Sequence, residues 1–109
     1  FASALLAAAG EGEVIVRLMH EFNLARYHWG VGKNEYDARA PGVYRALWRH
    51  LVARVRAAAG EEGARRLRFA FCPNAESVPG PGNSTAHDWN TITAYYPGEE
   101  WVDVVGVDG

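Results

Sequence analysis

His20 and Glu21 stand side by side where an apolar run, Val14 to Met19, stops. A carboxyl able to give and take a proton, placed beside a second titratable ring, is the equipment of general acid and base catalysis. A metalloprotease reading of the pair would need a second histidine four residues after the first on one helical face. Position 24 is Leu. His28, His50 and His87 have no partners at ligand spacing, so neither a metal nor a cofactor is expected. Cys72 is the single cysteine and lies in an apolar run. It reads as a small buried hydrophobe with no internal disulfide to form.

If the run is a strand, alternation puts Ile15, Arg17, Met19 and Glu21 on one face and Val14, Val16, Leu18 and His20 on the other. Arg17 is then expected beneath Glu21. A buried arginine requires a negative or polar partner, so this face should carry a charged network, above which a carboxyl can be tuned for acid and base work. Tyr27, Trp29, Trp89, Tyr95, Tyr96 and Trp101 are many aromatics for loops and strand edges. Singly each reads as packing; together they suggest a cleft that stacks flat apolar faces such as those of sugar rings.

These residues need a frame. "ASALLAAAGEGE", Ala2 to Glu13, predicts a helix ending in a glycine turn. A strand follows over Val14 to Met19, then a long loop from Leu24 to Pro41. Val43, Leu47, Trp48, Leu51, Val52 and Val55 recur at helical spacing, with Arg45, Arg49, Arg54 and Arg56 on the other face, and Gly60 ends that helix. "LRFAFCPN", Leu67 to Asn74, is a strand stopped by Pro73, followed by a Pro, Gly, Asn and Ser loop from Val78 to Ser84. Trp101 to Val107 is a third strand ending at Asp108, and "TAHDWNTITAYY" before it reads as a short helix or a structured loop. Strand, helix, strand is the order of a βαβ unit with a parallel sheet, an α/β fold. Each strand passes at its end into polar or turn-forming residues: His20 and Glu21, Pro73 and Asn74, Asp108. In such folds those ends form the ligand-binding face.

The chain has 109 residues, 49% hydrophobic and 22% charged, which is ordinary globular composition. A formal net charge of -2 gives no electrostatic footprint for nucleic acid or an anionic membrane, and no apolar run approaches the length of a membrane span. Neither partner is expected. The chain opens at Phe1 without a methionine and stops at Gly109 just after an apolar run, which predicts a piece of a longer protein.

"VIVRLMHEFN", then "YHWG", "WRHLVARVRAAAG", "FAFCPN" and "YYPGEEWVDVVGVDG" resemble successive blocks of glycoside hydrolase family 26, the β-mannanase family. The resemblance implies a (β/α)8 barrel, which takes roughly 250 residues. This chain would supply roughly strands four to six of it with their connecting segments, as a single partial catalytic domain over residues 1–109. It implies retaining hydrolysis of β-1,4-mannan by an enzyme that is secreted or held at the cell surface. Glu21 matches the general acid/base, His20 its active-site neighbour and Asp108 the aspartate ending strand six. The nucleophilic glutamate falls on strand seven, beyond this chain. Substrate contacts are expected from His20, Asn23, Tyr27, Trp29, Asn74 and Asp108. Where the family has a sugar-stacking tryptophan, this chain has Arg26, a cation with five donors. Either Tyr27 or Trp29 takes over the platform or the substrate is another β-glucan or xylan. A glycan-binding relative without catalysis is the rival expectation, and the three strands alone are expected to be inactive and marginally stable.

Overall fold

The computed structural model describes residues 1–24, 29, 38–80 and 87–109. Helix α1, Ala2–Ala9, is a run of strong helix formers that ends at Gly10. The Arg66 guanidinium donates to Leu6 O, one of the last-turn carbonyls that lack intrahelical partners, and to the carbonyls of Gly10 and Gly12 in the turn that follows. Strand β1, Val14–Val16, follows directly.

Helix α2 spans Ala40–Ala64, with Pro41 in its first turn, where a missing N–H costs nothing. Gly60 interrupts it at φ 75°, a left-handed value that glycine tolerates best. The expected helix end is therefore a break, with one further helical turn beyond it. A side chain at Gly63 in that turn would meet Leu6 Cδ1 at 2.6 Å, so glycine there allows α1 to lie against α2. The buried stripe of α2 is Tyr44, Trp48, Val52 and Val55. Val43 and Leu47, expected in the core, are 46% and 41% exposed. They lie one residue, about 100° of rotation, away from that stripe.

Strand β2, Leu67–Phe71, is the middle strand, parallel to β1 on one side and to β3, Val104–Val105, on the other. Val14, Ile15 and Val16 stand opposite Leu67, Arg68 and Phe69, while Ala70 and Phe71 stand opposite Val104 and Val105. A central parallel strand is covered on both faces, and Phe69, Ala70 and Phe71 are accordingly all buried.

All three strands are shorter than the sequence predicts, and β2 closes at Phe71, just ahead of Pro73. β1 stops at Val16 because the backbone turns left-handed soon after, with φ 44° at Met19 and 52° at Glu21. β3 starts late because Trp101 closes a 3-10 turn, Glu99–Trp101, and because the Asp103 carboxylate, not a backbone carbonyl, accepts the Phe69 N–H at 2.8 Å. Past β3 the pairing with the β2 end resumes: Gly106 N donates to Phe71 O and Asp108 N to Pro73 O.

Between β2 and β3 the described residues form no α-helix; they include 3-10 turns at Ile92–Tyr95 and Glu99–Trp101. The carbonyls such a segment leaves unpaired are met by donors from α2. Arg45 reaches Ala94 O, Arg49 Nε reaches Pro97 O at 2.9 Å, Arg56 reaches Glu100 O at 3.0 Å, and Trp48 Nε1 reaches Trp101 O at 2.8 Å. Three of the four arginines expected on a solvent face therefore pin a neighbouring segment. The core under the sheet end is aromatic: the Phe22 ring centroid lies 4.4 Å from Tyr44, 4.9 Å from Phe71 and 4.8 Å from Tyr95.

Candidate functional site

The polar strand ends do converge. Residues 19–24 beyond β1, 72–78 beyond β2 and 106–108 beyond β3 lie side by side, tied by parallel bridges between Leu24 and Val78 and between Asn74 and Asp108. Glu21 sits over the end of the middle strand, its N–H donating to Cys72 O at 2.8 Å. The left-handed φ at Glu21 abandons strand alternation and lets neighbouring residues part ways: Phe22 enters the aromatic core, fully buried, while the Glu21 carboxyl stays at the sheet end. Only 8% of Glu21 is exposed, and its Oε1 accepts a hydrogen bond from Asn74 Nδ2 at 2.8 Å.

Beneath this turn lies a buried amide network. Asn23 has no exposed surface; its Oδ1 accepts Asn74 N–H at 2.9 Å and its Nδ2 donates to Asn74 O at 3.0 Å and to Ser77 Oγ at 3.1 Å. Asn90, equally buried, donates to Asn23 O and Pro79 O and accepts the Tyr95 hydroxyl at 2.8 Å. Burial holds the Tyr95 phenol above the ordinary tyrosine range, so it acts as a donor. Nothing in the sequence pattern around Asn90 or Tyr95 marks them as supports of the site, since the contact with Asn23 spans 67 positions.

Arg17 has a negative partner, as expected, and that partner is Asp108. Its NH1 lies 3.3 Å from Asp108 Oδ2 and 3.9 Å from Cys72 Sγ, bridging the outer strands across the middle one. The shared face expected for Arg17 and Glu21 ends where the backbone turns left-handed, at Met19 and at Glu21 itself. Burial first, and then the Asp108 carboxylate, push the Cys72 thiol upward against the opposing effect of Arg17. A thiol so held is a packing group, not a nucleophile, in line with its expected role.

His20 is half-buried beside Trp29, with ring centroids 5.6 Å apart. The Trp29 indole N–H donates to His20 O at 2.8 Å, so the structure brings His20, Glu21, Asn23, Trp29, Asn74 and Asp108 into one region. Tyr27, with Arg26 and His28, lies outside the described residues. His50 is exposed on α2 and His87 packs edge-on to Trp89. Of the aromatics expected at a cleft, Tyr95 is core and Tyr96 lies edge-on to Phe71, so those two serve packing. Among the described residues there is no group of three His, Cys, Asp or Glu able to hold a metal, and no helix is long and apolar enough to cross a membrane.

Comparisons with known proteins bear on this arrangement. Endoglucanase H of Acetivibrio thermocellus is 32% identical over 99 residues, covering 89% of this chain and 9% of the relative. Mannan endo-1,4-beta-mannosidase A and B of Caldalkalibacillus mannanilyticus is 26% identical over 96 residues, covering 87% of this chain and 16% of the relative. A solved structure of the Bacillus subtilis mannanase BCman superposes with a TM-score of 0.71 at 25% identity, over 99% of this chain and 28% of that one. A second Bacillus subtilis mannanase structure gives 0.70 at 26% identity, over 99% and 29%. The chain thus spans under a fifth of these curated relatives and just over a quarter of the solved mannanases. The sequence pattern of glycosyl hydrolase family 26 matches residues 8–109, and the chain belongs to that family.

Proposed function

We propose that this chain is part of a retaining glycoside hydrolase acting on β-1,4-mannan, in which Glu21 is the general acid and base. Its three parallel strands are then consecutive strands, roughly four to six, of a (β/α)8 barrel whose C-terminal face carries the active site. The observation that carries the reading is Glu21 itself: a nearly buried carboxyl on a left-handed turn over the C-terminal end of the central strand, with one oxygen already hydrogen-bonded to Asn74. A left-handed backbone at a non-glycine residue costs about 1–3 kcal/mol and persists where the surroundings impose it.

In this mechanism Glu21 protonates the departing glycosidic oxygen while a glutamate from another part of the barrel attacks the anomeric carbon. Glu21 then takes the proton of the water that breaks the resulting glycosyl ester. Such a pair of carboxyls stands about 5 to 5.5 Å apart. His20, Trp29, Asp108 and Tyr27 border the sugar. A polymer of this size must be met outside the cell, which supports a secreted or surface-held enzyme.

The test is Glu21→Gln in the protein that carries this chain. Mannan hydrolysis is expected to fall about 10²- to 10⁴-fold, the usual contribution of a positioned acid. Formation of the glycosyl-enzyme from a dinitrophenyl glycoside, whose leaving group needs no proton, should persist. Undiminished mannan hydrolysis would remove Glu21 from the chemistry. Similarity to an endoglucanase favours a second substrate, a β-glucan, so both polymers belong in the assay.

A further inference from the structure

We infer that Asn74 is a positioning residue for the acid/base carboxyl, holding Glu21 by Oε1 so that Oε2 is the oxygen that gives and takes the proton. The inference rests on the reading of Glu21 as acid and base, and deepens it. Three observations carry it.

First, Asn74 cannot turn its amide round without loss. Its Oδ1 accepts the Glu76 N–H at 3.0 Å, an Asx-type contact, which leaves Nδ2 as the end facing Glu21. Second, the Asn74 backbone is fixed on both sides of its Cα. The Asn23 side chain accepts its N–H and donates to its carbonyl, a two-point grip from a fully buried amide. Asn23 was expected to touch substrate; with no exposed surface, its amide serves the chain. Third, the Asn90 side chain donates to the Asn23 carbonyl and is itself held by the Tyr95 hydroxyl, so the arrangement reaches down to the aromatic core.

The chemical consequence follows from donor and acceptor roles. An amide N–H bonds an oxygen that accepts. In the protonated carboxyl the carbonyl oxygen accepts and the hydroxyl oxygen carries the proton. Nδ2 on Oε1 therefore directs the proton to Oε2, and it does so in both halves of the reaction. Asn74 then acts through Glu21 and not on the sugar. This separates it from the expectation, drawn from family resemblance, that Asn74 is a substrate contact.

The informative substitution is Asn74→Asp. It keeps an oxygen to accept from Glu76 N–H, removes the donor to Glu21 and sets a second carboxyl against it, so the uncharged variant is needed to separate the lost donor from the added charge. Asn74→Ala, which removes the oxygen and the donor, serves as the second variant. Wild type, both variants and Glu21→Gln are compared in the protein that carries this chain, on a β-1,4-mannooligosaccharide and on a dinitrophenyl glycoside. Thermal unfolding is recorded for each. A misplaced acid is expected to lower kcat about 10- to 100-fold on the oligosaccharide. KM should stay within about twofold, and the deficit should nearly vanish for glycosyl-enzyme formation from the dinitrophenyl substrate, where no proton is needed. A rise in KM at unchanged kcat would make Asn74 a sugar contact and overturn the inference. Equal losses on both substrates would also overturn it, since the effect would not pass through proton transfer. If Glu21→Gln is impaired while Asn74→Asp matches wild type, this inference alone fails. If Glu21→Gln is fully active, the acid role fails and this inference falls with it.

Discussion

Glu21 and Phe22 are adjacent in sequence and opposite in purpose, one at the site and one in the core, and the left-handed turn between strand and loop is what separates them. The turn is held from below by Asn23, Asn90 and Tyr95, which makes a distant phenol part of the site's support. Tyr95→Phe removes the hydroxyl that Asn90 Oδ1 accepts and leaves that oxygen buried without its donor, at a cost of about 1–3 kcal/mol. Tyr44 is the useful contrast. Its buried hydroxyl has no hydrogen-bond partner among the described residues. Tyr44→Phe should therefore be neutral or stabilising by about 1 kcal/mol. Urea denaturation of the two variants measures the difference; equal losses would mean that the Tyr95 to Asn90 bond contributes nothing. At this scale the His-Glu pair was legible because a carboxyl directly after an apolar run is conspicuous. The partner of Arg17 was not legible, because alternation holds only while the backbone stays extended, and it turns left-handed at Met19 and again at Glu21 itself. The polar strand ending and the resemblance both pointed to Asp108, but neither named it as the partner of Arg17.

The elements show the same division. The hydrophobic period gave α2, and Gly60 marked its break, since both are local properties of the chain. The role of its arginines was hidden, because a carbonyl that needs a donor leaves no trace in its own side chain. Arg49 and Arg54 both lie off the buried stripe and look alike in sequence, yet Arg49 Nε donates to Pro97 O. No comparable bond is present for Arg54 among the described residues. Arg49→Met should cost about 1 kcal/mol, a typical net value for one hydrogen bond. Arg54→Met should stay within about 0.5 kcal/mol, as surface substitutions do. Denaturation midpoints at an unchanged denaturant slope are the measurement. Indistinguishable midpoints would mean that the segment after Ala94 holds its place without the arginine. The strand boundaries were missed for a related reason. Apolar composition extends past β1 and ahead of β3, but pairing is decided by φ at Met19 and by the Asp103 carboxylate that takes the Phe69 N–H.

For the molecule as a whole, the order of strand, helix and strand was enough to give a parallel sheet, because handedness and connection length leave few alternatives. What it could not give is how the sheet is closed beneath the site: by an aromatic cluster that joins α2, β2 and the turn at Ile92–Tyr95 through two buried phenols. That closure makes stability depend on alkaline pH. Burial raises both Tyr44 and Tyr95 above their ordinary value of 10.0, with desolvation the leading cause in each. The sign follows from linkage. A group whose folded-state value lies above its unfolded one contributes stability that is complete below pH 10.0, and the contribution is lost as pH rises past it, because the unfolded chain releases the proton first. Cys72, raised from 9.0, adds a change of the same sign that begins earlier. Denaturation midpoints should be nearly flat at pH ~8 and fall with increasing steepness towards pH ~11, the range in which tyrosine in an unfolded chain ionises. Tyr95→Phe removes one of the two phenols, so its midpoint should fall less steeply over the same range even though it starts lower. A slope equal to wild type would mean that Tyr95 ionises as readily in the folded protein as in the unfolded chain. The hydroxyl beneath Asn90 would then be open to water, and the support under Glu21 would be wet where the packing describes it as closed.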